Sequence, residues 1–212
     1  MAATASSLRR DPAAARSGMY RLLARLWLQE VDAALLAELC RQPLGEAFVA
    51  AGGVLPAASD EVTTVLEPLA VDYCRLFIGP SDHLPPYQSV WQTGQFQGAT
   101  IPSLEAFIDV IGYDVDRLPS GTMLDHLGVQ LDMLGHVLGE VATMPSDEAW
   151  QIADAFFYAH LRWPIELLTA AADRADSPFY RAVVEMTRAF LESEVAADSR
   201  APAAAHDASP PT

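Results

Sequence analysis

Apolar residues recur every three or four positions along most of this chain, the period of helices with one buried face. The first run begins at Asp11-Pro12, a capping acid followed by a residue suited to the first helical position. It carries Tyr20, Leu22, Leu23, Leu26 and Trp27 towards Glu30. Asp32 caps a shorter helix with Leu35, Leu36, Leu39 and Cys40 inward, stopped by Pro43; Leu44 to Ala51 adds a turn or two before Gly52-Gly53. Ser59, Asp60 and Glu61 signal another start. Val62, Val65, Leu66, Leu69, Tyr73, Leu76 and Phe77 share one face there, and Pro68 is expected to kink or split the helix. Ser103 is expected to cap a helix containing Leu104, Phe107, Ile108 and Ile111, closed by Gly112. Met123 to Met144 is the longest clean run, with Leu124, Leu127, Leu131, Leu134, Leu138 and Val141 in a stripe. Ser146 starts the next helix, which Trp163-Pro164 breaks, and Ser177-Pro178 opens the last. Residues 92–101 and 114–121 read as loops. The pattern predicts an all-α, single-domain helical bundle over residues 17–195, a flexible N-terminus over 1–16 and a disordered Ala/Pro/Ser tail over 196–212.

One stretch breaks the pattern. From Tyr73 to Trp91 the chain leaves a helix, turns at Gly79-Pro80, crosses Pro85-Pro86 and ends on Tyr87 and Trp91. Loops are normally polar, so this many aromatic side chains around prolines predict a walled groove or a buried crossing. Tyr73 and Phe77 fit a core role; Tyr87 and Trp91, beside the prolines, are the better candidates for exposed contacts.

Composition sharpens the picture. The chain has 212 residues and a formal charge of −15, and all 13 basic residues are arginine. So acidic a body argues against nucleic acid as a partner, which needs clustered cations, and favours basic partners. No apolar run reaches the roughly 20 residues needed to cross a bilayer, and Arg9-Arg10 lacks the uncharged apolar core of an export signal. A cytoplasmic protein without membrane insertion is expected. Cys40 and Cys74 lie on apolar helical patterns and are expected to be buried free thiols.

The chain contains no phosphate-binding glycine loop, no dinucleotide fingerprint and no nucleophile elbow. Neither enzyme activity nor a cofactor or metal of its own is expected. His126 and His136, ten residues apart on one predicted helix, are badly placed for joint ligation, and His136 is expected to pair with Asp132 at the surface. Asp125-His126 opens the long helix. It reads either as a cap with a hydrogen-bonded histidine or as the polar rim of a groove whose floor is the 73–91 stretch, where a carboxylate would pair with a guanidinium.

Tyr73-x-x-Leu76-Phe77-x-Gly79-Pro80, then Pro85-Pro86-Tyr87-x-Ser89-Val90-Trp91, then Asp125-His126-Leu127, resembles the TorD/DmsD/NarJ family of chaperones dedicated to molybdenum enzymes. The loop is most similar to the type II dimethyl-sulfoxide-reductase branch. His160-Leu161-x-Trp163 and Phe179-Tyr180 resemble that family's C-terminal part. The resemblance implies a non-enzymatic cytoplasmic chaperone that binds the twin-arginine signal peptide and apo-form of a molybdopterin-containing catalytic subunit. It implies help with cofactor insertion and a delay of export until maturation. It also implies a peptide groove formed by Tyr73, Phe77, Gly79, Pro86, Tyr87, Ser89, Trp91, Asp125 and His126, with the last pair facing Pro86–Trp91 across it. Two departures stand out: Gln88 replaces a common acid, and Gly121-Thr122-Met123 replaces a proline and acids, which shifts arginine recognition towards Asp125, Asp82 and the general field. The protein is expected as a monomer or as a dimer exchanging segments through the 92–101 loop. A nucleotide-hydrolysing enzyme and a structural subunit of the oxidoreductase complex are the competing classes.

Overall fold

The computed structural model describes the backbone of residues 2–57 and 61–198 and the side chains of residues 12–57 and 61–196. The fold is all-α: α1 (Ala2–Leu28), α2 (Ala33–Leu39), α3 (Leu44–Ala50), α4 (Val62–Tyr73), α5 (Gln88–Thr93), α6 (Thr100–Ile111), α7 (Leu127–Thr143), α8 (Asp147–His160), α9 (Ile165–Arg174) and α10 (Pro178–Asp198). Ser59 and Asp60, read as a helix start, and the tail beyond residue 198 lie outside the described residues. Among those described, the only extended pairing is one isolated antiparallel bridge, Tyr87 with His126.

The spine is α7 packed along α1, with α8 on α7, and with α10 touching α1, α4 and α9. Whereas the sequence predicts one stripe on α7, nearly every side is buried: Val129, Gln130, Met133 and Val137 join Leu127, Leu131, Leu134 and Leu138. A helix apolar on all sides belongs at the centre of a core. Close approach needs glycine here. A Cβ on Gly128 would lie 2.7 Å from Leu28 Cγ, and one on Gly135 would lie 3.0 Å from Arg21 Cγ and 3.2 Å from Tyr20 Cβ. Ser17 donates to the Gly135 carbonyl (2.6 Å) across the same contact. Tyr20 and Trp27 on α1 reach α10, donating to Glu194 (2.9 Å) and Thr187 (3.0 Å).

Caps at Asp32, Ser146 and Ser177 accept from Leu35, Ala149 and Tyr180 amides, as their positions predict. Four boundaries differ. α1 runs unbroken through Asp11-Pro12, within alanine-rich sequence of high helix propensity. Pro68 does not split α4, because it and Thr64, whose carbonyl loses its donor, both lie on the exposed side. α6 starts at Thr100, which places Ser103 inside the helix, and α7 starts at Leu127. The thiols depart too: Cys40 and Cys74 are both exposed, each one position off the buried face of its helix.

Candidate functional site

The aromatic-proline stretch is built on a change of helix geometry. After Tyr73 the chain makes a π-helical turn over Cys74–Ile78, and Gly79 closes it by donating to the Cys74 carbonyl (2.7 Å). Leu84 then returns to the Leu76 carbonyl (2.7 Å). Tyr73 and Phe77 are core residues: the Tyr73 hydroxyl donates to the Trp27 carbonyl (2.9 Å), and Phe77 lies 4.8 Å from the Trp27 ring.

Backbone pairing joins this stretch to Asp125-His126. The Gln88 amide donates to the Asp125 carbonyl (2.9 Å), and the Leu127 amide donates to the Pro86 carbonyl (2.8 Å). The expected groove between the two motifs is therefore absent, because they are in direct contact. Gln88, Ser89 and Trp91 sit on α5 rather than in a loop.

Asp125 and His126 are buried, not rim residues, with 0% and 6% exposure. His126 caps α7, its Nδ1 accepting from the Gly128 amide (3.0 Å). The cap needs an unprotonated Nδ1, and burial lowers the histidine to about 4. Asp125 Oδ2 accepts from the Ser89 amide (3.1 Å) and from the Ser89 hydroxyl. Asp125 Oδ1 has no hydrogen-bond partner among the described residues. Leaving such an atom unpaired costs about 1–3 kcal/mol, and more if it is charged.

Gln88, expected to weaken the groove, is not at a surface. It is 3% exposed and sits at the centre of a buried polar network. Its amide donates to the Ala159 carbonyl (3.0 Å), and its oxygen accepts from Gln130 (2.6 Å) and from His160 Nδ1 (3.1 Å). Gln130 accepts from Trp163 (2.8 Å), and Ser103 lies 3.0 Å from His160 Nε2. Since a glutamine oxygen only accepts, His160 carries its proton on Nδ1, and Ser103 donates to Nε2. Burial lowers His160 to about 4 as well. These five residues tie α5, α6, α7, α8 and the turn after α8 together. Sequence alone points to His160 and Trp163 only through the family resemblance, and a lone glutamine in an apolar run gives no signal of its role.

The remaining predicted residues are placed as follows. Gly79, Pro86 and Ser89 are buried. Tyr87 is half-buried, its ring between Phe96 (5.6 Å) and His126 (5.2 Å), with its hydroxyl raised by burial and by Asp125. Trp91 is half-buried and tethered to the Pro85 carbonyl (2.8 Å), so neither aromatic is the free surface contact expected. Phe96 is 56% exposed. The Asp82 carbonyl is held by Arg174. His136 faces the Ile111 carbonyl (3.2 Å) and Asp132 accepts from Tyr113 (2.6 Å), so the expected His136–Asp132 pair does not form.

One concave surface lies beside the predicted residues. A cleft of about 590 Å³ is lined by Gln97 and Gly98, by Ile101, Pro102 and Glu105 of α6, and by Thr122, Met123 and Leu124, which lead directly into Asp125. Its lining mixes apolar side chains with one carboxylate, a surface able to take an apolar segment next to a cation. Among the described residues no three His, Cys, Asp or Glu side chains are grouped to hold a metal ion. None of the described helices is long and apolar enough to cross a membrane.

Comparison with known proteins gives a consistent result. The family profile described as "Nitrate reductase delta subunit" matches residues 30–185. Chaperone protein YcdY of Escherichia coli (strain K12) is 30% identical over 139 residues, 63% of this chain and 70% of that protein. No solved structure matches.

Proposed function

The chain belongs to the nitrate reductase delta subunit family, the NarJ/TorD-like chaperones of molybdoenzyme maturation and not an enzyme family, and from that premise we propose how it meets its client. It binds, in the cytoplasm, the twin-arginine leader of an apo-catalytic subunit, assists insertion of the molybdopterin cofactor, and delays export until the cofactor is in place. The observation that carries this reading is the cleft at Gln97–Glu105 and Thr122–Leu124. Ile101, Pro102, Met123 and Leu124 offer apolar contact, and Glu105 offers a carboxylate. Asp125-His126 adjoins it in sequence, and Tyr87 and Phe96 form an aromatic pair beside it. A leader peptide has the complementary chemistry, adjacent guanidiniums followed by an apolar segment that tends to helix. The net charge of −15 adds long-range attraction for such a cation.

In this reading Tyr73, Phe77, Gly79, Pro86 and Ser89 act as scaffold, holding Tyr87, Trp91, Asp125 and His126 in register. The test is calorimetric titration with a synthetic leader peptide carrying two adjacent arginines before an apolar segment. Saturable binding at micromolar affinity or tighter is expected, weakened by Trp91→Ala and by Glu105→Gln. Absence of saturable binding to any twin-arginine leader of a molybdoenzyme catalytic subunit from the same organism would sink the proposal.

A further inference from the structure

Asp125, which the sequence reads as a partner for a guanidinium, is fully buried. One oxygen is held by Ser89; the other is unpaired. A buried side-chain polar atom without a partner is rare among the described residues, where Trp150 Nε1 is the other case.

The 94–99 loop packs on Ser89, the residue that holds Asp125. Gly98 lies on Ser89: a Cβ added there would be 3.4 Å from Ser89 Cβ and 3.6 Å from Thr93 Oγ1. The side-chain fastenings of the loop are weak, and its backbone bonds, Gly94 to the Val90 carbonyl (2.8 Å) and Ile101 to the Gly98 carbonyl (3.2 Å), lie where it joins α5 and α6. Phe96 touches Tyr87 edge-on while remaining 56% exposed, and Gln97 Nε2 reaches Met123 Sδ at 3.8 Å. An N–H to thioether contact is a poor hydrogen bond. The first residue of the loop and one inside it have left-handed backbone, with φ of +73° at Gly94 and +56° at Gln97. The cleft opens between Gln97-Gly98 and Met123-Leu124, at the edge where the loop would part from the 122–125 segment.

We propose that residues 94–99 are a lid, and that an arginine of the incoming leader reaches Asp125 Oδ1 beneath it once Gly98 lifts from Ser89. The proposal rests on the leader-binding reading above and adds its entry step. Glu105 at the cleft draws the guanidinium in; Asp125 is the specificity-determining acceptor. The planar fork of arginine suits a carboxylate with one oxygen already occupied, whereas lysine presents a single point charge. An exposed acid would bind either cation, but an acid under a lid exacts desolvation and rejects the poorer fit.

The test fastens the lid. Because Cys40 and Cys74 are exposed, they are first replaced by serine. Gln97→Cys and Met123→Cys are then bridged by a short, reductively cleavable bismaleimide; because both residues line the cleft, the same two cysteines capped singly with a monofunctional maleimide serve as the control for added bulk. Peptide affinity is expected to fall at least about ten-fold on bridging relative to that capped control and to return on cleavage. Undiminished affinity with the bridge intact overturns the lid. If the unbridged and wild-type proteins also fail to bind, the leader-binding reading itself fails, which separates the two outcomes. A second measurement loosens the lid instead. Phe96→Ala/Gln97→Ala is expected to raise the association rate several-fold in stopped flow, and an unchanged rate counts against gating. Replacing both peptide arginines by lysine is expected to lower affinity at least about ten-fold; equal affinity would remove Asp125 as the specificity determinant.

Discussion

Among the described residues two aspartates, Asp72 and Asp125, are buried, and they are used differently. Asp72, 3% exposed on α4, employs both oxygens: it accepts from the Ser177 amide (2.8 Å), the Asp176 amide (3.2 Å) and Arg75 (2.8 Å). Burial pushes its carboxyl up, but these hydrogen bonds outweigh burial and hold it below the usual carboxylate range. It anchors the start of α10 to α4. Asp125, more deeply buried, has donors on one oxygen only. A carboxylate that serves folding is surrounded by donors; one kept half-satisfied at a cost in stability is a candidate for binding.

The comparison breaks or sharpens on four measurements. Asp72→Ala is expected to be the most destabilising single change, about 2–4 kcal/mol by urea unfolding, since it strands two amides and loosens Arg75. Acid comes next. His126 and His160 both have folded values near 4 against an ordinary 6.5, so the unfolded chain binds more protons between those values. Stability from each is fully present above about pH 6.5 and is lost as the pH falls towards 4, on the order of 3 kcal/mol per histidine. His126→Asn keeps a capping acceptor without the titration, and is expected to remove about half of that loss. Gln88→Glu is expected to cost roughly 1–3 kcal/mol by replacing the donor to the Ala159 carbonyl with a buried acid, and to leave peptide affinity unchanged. A gain in affinity would show that Gln88 is a groove residue after all. Asp125→Asn is expected to shift stability by less than about 1 kcal/mol, because an amide oxygen still accepts from Ser89. A loss as large as that of Asp72→Ala would erase the contrast.

The helices were legible because their causes are local. Asp32, Ser146 and Ser177 cap where an oxygen precedes an apolar run, and the Trp163-Pro164 break interrupts one. The site was less so, because its causes are pairings at a distance. The 86–88 and 125–127 backbones meet only in the folded chain, and that pairing turns an expected groove into a contact. Gln88 and Ser103 looked like a missing acid and a cap, and each is instead a member of a network whose other members lie elsewhere in the sequence. Cys40 and Cys74 show how little separates buried from exposed on a helix, since a shift of one position turns a side chain by roughly 100°.

The π-helical turn at Cys74–Ile78 has a consequence for how this chain tolerates length. A π turn holds one residue more than the α-helix around it needs, so it behaves as a stored insertion. Removing one residue from 74–78 would leave an ordinary α-helical turn, and since the residues of a π turn advance about as far round the axis as one fewer in an α turn, the chain beyond Gly79 would keep nearly its direction. Pro86 would still reach Leu127, and Ser89 would still reach Asp125. A one-residue deletion is therefore expected to be borne in this turn, whereas the same deletion in the regular helix of α4 would swing the aromatic-proline stretch by roughly 100° and part the two motifs.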